Sequence, residues 1–203
     1  FDTKSHVVNN PASFLRDPAV CGYSDYCLSG FIKICFKVRG YPMAYRQVFY
    51  SFHFYNDVMR VQQIRNIGVI EDNKPVSAND WEDVKRGGDA AVEKWIADNM
   101  NYRSCVVVLI GAETATRPWV RYEIIKGWND KKGVLGIYIH NLKCPRNGQC
   151  NPGPNPFDNI SFKDGRKMSS LVKCYNPSSY DAYNDIAKNL ETWIEDAIAA
   201  RSK

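Results

Sequence analysis

Residues 104–128 read SCVVVLIGAETATRPWVRYEIIKGW. The apolar run Val106 to Ile110, rich in β-branched residues and closed by Gly111, is how a strand buried on both faces appears in sequence. It is expected at the centre of a parallel sheet. Thr116 is placed to cap the helix that follows, and Pro118 falls in its first turn, where a missing backbone donor costs little. The helix should therefore start near Arg117, with Val120, Ile124 and Trp128 as its buried stripe and Glu123 at the stripe's edge in the second turn. That puts one carboxylate near the carboxyl edge of the sheet, where open α/β sheets bind ligands.

Working outward, Arg46 to Phe54 (RQVFYSFHF) is an aromatic and β-branched strand. Val58, Val61 and Ile64 then mark a helix over Asp57 to Asn66, with Gly68 in a C-cap position. Val69 and Ile70 are expected as a short second strand, and Glu71 to Gly88 as a long polar loop carrying Asp80 and Trp81. Asp89 is placed to cap a helix through Asn99 that buries Ala91, Val92, Trp95 and Ile96.

Downstream, Gly133 to Ile139 is a second fully buried strand, with His140 and Asn141 at its carboxyl end. Asn141 to Asn159 is too rich in Pro, Gly and Asn for regular structure. Ser170 to Tyr175 reads as a fifth strand, and Ser179 to Arg201 as a terminal helix, capped by Ser178 or Ser179, with Tyr183, Ile186, Leu190, Ile194 and Ile198 on one face. The alternation predicts an α/β fold: an open, parallel five-stranded sheet with helices on both faces, flavodoxin-like in architecture.

The 203 residues suffice for one domain of ordinary size, 43–203. The chain opens on Phe1, and residues 1–42 hold turn-formers and a short apolar-basic stretch without a motif, so they read as an N-terminal extension, with Met43 as the expected natural start. The formal net charge of +5 is spread without a basic run, so a nucleic-acid partner is neither implied nor excluded. No apolar stretch approaches the roughly 20 residues needed to span a bilayer, and no leader pattern opens the chain, so a cytoplasmic protein is expected. Seven scattered cysteines point to free thiols in a reducing compartment. The repeated six-residue spacing of Cys21/Cys27 and Cys144/Cys150 is too wide for zinc knuckles and has no histidine beside it, so no metal site is expected.

Several occupants of such a scaffold are excluded by residue type. A phosphoacceptor receiver needs acidic residues where this chain has Ser51-Phe52-His53 and Ile110-Gly111. A dinucleotide or P-loop fingerprint needs a glycine-rich turn where this chain has Phe52 to Tyr55. No GxSxG elbow is present, and Cys105 opens a buried strand, far from the ligand edge. What remains at that edge is Ser51, Phe52, His53, Asp80, Trp81, Trp119, Tyr122 and Glu123. Such a set could form an aromatic-walled cleft around a carboxylate, suited to a flat ring and to a sugar that develops positive charge. The residues alone leave a plainer alternative open, with Glu123 a solvated helix acid paired to Lys126.

VFYSFH, the DW pair Asp80-Trp81, SCVVVLIG and above all RPWVRYEI resemble the TIR-like family that includes the TIR subunit of the Thoeris anti-phage system. The resemblance runs from about Met43 through the NPF of residues 155–157. It implies that Glu123 is the catalytic residue of an NAD-cleaving enzyme, with NAD as substrate and no cofactor. Ser51, Phe52, His53, Asp80, Trp81, Trp119 and Tyr122 are then the implied substrate-binding residues: rings as walls, Ser51 as a donor, and protonated His53 on phosphate. His53 departs from an arginine frequent at that position in TIR domains. The implied product is an ADP-ribose-derived signal, cyclic in Thoeris-type members, read by a separate effector protein, with homo-oligomerisation expected. The alternative from a different class is a non-catalytic TIR interaction module that works by homotypic assembly.

Overall fold

The computed structural model describes residues 8–9, 46–67, 74–75, 83–84 and 86–202, all within one compact unit. Its elements, in chain order, are β1 (Val48–Ser51), α1 (Phe54–Arg65), α2 (Gly88–Met100), β2 (Cys105–Ile110), α3 (Pro118–Asn129), β3 (Gly133–Tyr138), β4 (Cys174–Tyr175) and α4 (Ala182–Arg201). Single turns of 3-10 helix fall at Thr114–Thr116, Pro156–Asn159 and Met168–Ser170. Val8–Asn9 and Lys74–Pro75 form a separate two-residue antiparallel ladder.

The main sheet is parallel throughout and runs β1-β2-β3-β4, with Val48 opposite Cys105 and Cys105 opposite Gly133. Strand alternation divides its side chains between two cores. Phe49, Val106, Val108 and Ile110 pack against Val92 and Ile96 of α2 and Val120 and Ile124 of α3. Tyr50, Phe52, Val107 and Leu109 pack on the other face against Val61 and Ile64 of α1 and Ile186, Leu190 and Ile194 of α4. Every residue of β2 is fully buried, because helices cover both of its faces.

The α/β, flavodoxin-like reading holds, with four parallel strands among the described residues instead of five. Val69 and Ile70 lie outside those residues. The strand expected over Ser170 to Tyr175 shrinks to Cys174–Tyr175, because Met168–Ser170 closes a 3-10 turn whose backbone bonds point inward on themselves. Helix starts also shift. Asp181, not Ser178 or Ser179, caps α4 by accepting from the Asn184 N–H. The N-cap of α3 is Arg117, and the Thr116 hydroxyl instead donates to the Glu113 carbonyl. α2 begins at Gly88, one residue before Asp89.

The buried stripes differ from the apolar ones in two instructive places. On α1 the buried residues are Asp57, Arg60, Val61 and Ile64, with Val58 only half-buried. On α3 they are Val120, Glu123, Ile124 and Gly127, and Trp128 is half-buried, stacked under the Arg201 guanidinium at 3.7 Å. Cys105, Cys144, Cys150 and Cys174 are free thiols.

Candidate active site

Phe49 points to the α3 side of the sheet, so Ser51, two residues on, does too. Its hydroxyl donates to Glu123 Oε2 at 2.6 Å, and both residues are 0% exposed. The alternative partner for Glu123 is excluded by geometry: Lys126 pairs with Asp130 at 2.9 Å. Glu123 is therefore a core carboxyl group at the carboxyl end of β1, held by a strand hydroxyl. Burying such a group is costly unless it is hydrogen-bonded, which is why the Ser51 contact matters to fold and site alike.

Trp119, one turn before Glu123, is half-buried and meets the Tyr122 ring edge to face at 5.8 Å. Both rings pack against the core on the α3 side of the sheet, Trp119 one helical turn from Glu123. Phe52 does not share that side. The ring points to the opposite face of the sheet, 2% exposed in the core of α1 and α4, with Phe54 at 6.4 Å. Strand alternation makes this unavoidable, since Phe52 is adjacent to Ser51 and must face away from it. Asp80 and Trp81 lie outside the described residues.

His53 is the N-cap residue of α1, 2% exposed, with Nδ1 3.9 Å from Glu113 Oε2. Burial and the nearby Arg117 guanidinium push its pKa down to about 4, against the opposing pull of Glu113. The imidazole is thus neutral at physiological pH, which disfavours the expected phosphate contact by a protonated His53.

A buried polar hub behind this edge escaped the sequence reading. Asp57, 0% exposed, holds Arg60 at 3.3 Å, and its other oxygen has no hydrogen-bond partner among the described residues. Burial raises the Asp57 carboxyl to about 6, despite Arg60. Arg60 in turn donates to the carbonyls of Leu142 and Gly148, at 3.0 and 2.9 Å, and so ties α1 to the loop after β3. The Asp57 carboxyl occupies the space where a Cβ on Gly111 would stand. Gly153 of the same loop lies against the Gly111 carbonyl, again with no room for a side chain. Glu113 pairs with Arg117 across the turn that leads into α3. The i,i+3 spacing of Asp57 and Arg60 was the one available signal, and it is common on solvated helices. His140 is also buried, its ring edge-on to Tyr138, and its Nδ1 makes no hydrogen bond among the described residues.

Chemically, the arrangement offers a hydrogen-bonded carboxyl group, two packed rings on the same helix and a neutral imidazole at the carboxyl edge of a parallel sheet. No group of three His, Cys, Asp or Glu side chains among the described residues is arranged to hold a metal ion. No helix among them is long and apolar enough to cross a membrane. Residues 49–144 match the family model described as "Thoeris protein ThsB, TIR-like domain". The chain is also 34% identical over 151 residues to ThsB1 of Bacillus cereus (strain MSX-D12), a proposed cyclic ADP-D-ribose synthase, across 70% of this chain and 77% of that protein.

Proposed function

Since the chain belongs to the Thoeris ThsB TIR-like family, we propose that it cleaves NAD between nicotinamide and ribose in anti-phage defence, with Glu123 as the catalytic residue. The observation that carries this reading is the fully buried Ser51–Glu123 pair at the sheet's carboxyl edge. A carboxyl group is kept there, at the cost of burial, on the helix face that a simple core would fill with an aliphatic residue.

In the proposed reaction the ribose–nitrogen bond breaks and its electron pair leaves with neutral nicotinamide. Positive charge develops on the ribose, and a preorganised carboxylate at Glu123 stabilises it in the transition state. Ser51 orients that group by its hydrogen bond. Trp119 and Tyr122 pack against the substrate's rings. The ribose cation is then quenched by water, giving ADP-ribose, or by the adenine of the same molecule, giving a cyclic isomer. Exclusion of water selects the second outcome. The product serves as a nucleotide signal to a separate effector protein, and the chain is expected to work as a homo-oligomer. Because Glu123 is fully buried, substrate entry has to uncover it, so opening is a step of the cycle.

The test is NAD turnover by purified chain and by Glu123→Gln, with products separated by liquid chromatography and identified by mass. Nicotinamide release by the wild type and not by the variant supports the reading. No nicotinamide from the wild type, even with lysate of phage-infected cells added, overturns it.

A further inference from the structure

Arg121 stands two residues before Glu123 on α3, about 200° around the helix axis, and so on the flank turned away from the Ser51 contact. On that flank is a cavity of about 420 Å³ bounded by the Thr114–Thr116 turn, the start of α3 and the Pro156–Asn159 turn. Its lining divides by chemistry. Arg117, Arg121 and Asn159 supply two guanidinium groups and an amide, while Pro118, Val120 and Pro156 supply an apolar wall. Among the described residues, no carboxylate lines it. Arg117 is already engaged by Glu113 from outside the cavity, whereas the Arg121 side chain makes no hydrogen bond or ion pair among the described residues.

We propose that this cavity is a second binding site, for a small phosphate monoester carried on a ring, of nucleoside monophosphate size. Arg121 supplies an uncompensated cation and Arg117 a guanidinium shared with Glu113, and guanidinium groups match the oxygens of a phosphate monoester in a bidentate fork where an ammonium would not. The exposed Pro118 ring gives the sugar or base an apolar surface, backed by the buried Val120 and Pro156. The volume fits, since small-ligand sites begin at roughly 300 Å³ and inorganic phosphate alone would leave most of this space to water. The site makes no use of Glu123 or Ser51, and the proposal stands independently of NAD cleavage.

The experiment is calorimetric titration of the full chain with AMP, with inorganic phosphate and with adenosine, repeated on Arg121→Ala and Glu123→Gln. Arg121 is exposed and outside both cores, so its replacement leaves the fold intact. The expected result is AMP binding that Arg121→Ala weakens at least tenfold and Glu123→Gln leaves unchanged, with phosphate weaker and adenosine weaker still. AMP binding lost in Glu123→Gln and kept in Arg121→Ala would place the ligand in the other cleft and overturn the proposal. Adenosine binding as tightly as AMP, or no AMP binding at millimolar concentration, overturns it as well.

Discussion

Ser51 Oγ and Glu123 Oε2 lie 2.6 Å apart at a fully buried contact between the end of β1 and the second turn of α3. The strand hydroxyl therefore sets the orientation of the helix carboxyl group. On the proposed reaction, replacing Ser51 by alanine is expected to lower kcat for NAD cleavage roughly 10- to 100-fold, the scale of a lost hydrogen bond to a group that stabilises charge in the transition state. KM should stay within about threefold, since the bond acts on the carboxyl group and not on substrate. Steady-state kinetics on Ser51→Ala, with threonine as a hydroxyl-retaining control, checks the split.

His53 and Asp57 load the fold in opposite directions over one pH window. The His53 pKa falls from 6.5 to about 4, so the folded chain binds fewer protons than the unfolded chain between those values, and stability is lost as pH falls through them. The Asp57 pKa rises from 3.8 to about 6, so the folded chain binds more protons there, and stability is lost as pH rises. Each effect is about 3 kcal/mol by linkage, and between pH 4 and 6 they largely cancel. Urea midpoints against pH should be flatter in the wild type than in either single variant. Asp57→Asn should become steeply acid-labile, and His53→Gln should lose stability as pH is raised from 4 to 6.

Gly111 and Asp57 compete for the same volume, because a Cβ at 111 would stand inside the Asp57 carboxyl group. Gly111→Ala is expected to destabilise the chain by about 1–3 kcal/mol through overpacking. In an Asp57→Ala background that cost should shrink by more than half. A double-mutant cycle on chemical denaturation measures the coupling, and additivity of the two substitutions would contradict the shared-volume account.

In the proposed reaction Trp119 packs against substrate, braced by its edge-to-face pairing with Tyr122. Trp119→Ala is expected to raise KM about three- to tenfold, in line with the modest worth of one aromatic contact, and to change kcat less than Ser51→Ala does. Trp119→Phe should recover most of the loss. The same substrate-dependence curves used for Ser51 report it.

The sheet was legible because its strands are dense in β-branched and aromatic residues and closed by turn-formers. Val106 to Ile110 has one sensible reading, and the parallel order followed from the helices between strands. Glu123 stood out as a candidate by its motif alone, since its position on α3 was equally compatible with a Lys126 pair. Phe52 was misplaced because sequence adjacency to Ser51 was read as nearness in space, whereas adjacent strand residues face opposite layers. Asp57 and Arg60 were missed because apolar periodicity is blind to a helix face that buries an ion pair. Val58, half-buried, took their place in the pattern. The Asp181 cap lost to two serines of equal propensity, and only the backbone distinguishes them.

Gly127 sits one turn beyond Glu123, and the Val106 side chain of β2 fills the space where its Cβ would be. The Val106 side chain thereby seats against the helix backbone at Gly127, like a pin in a socket, and resists movement of α3 along β2. In the proposed reaction Glu123, riding on that seated segment, is the fixed jaw, and whatever admits a dinucleotide to it is the other, so that selection could retune opening without disturbing the geometry of the chemistry.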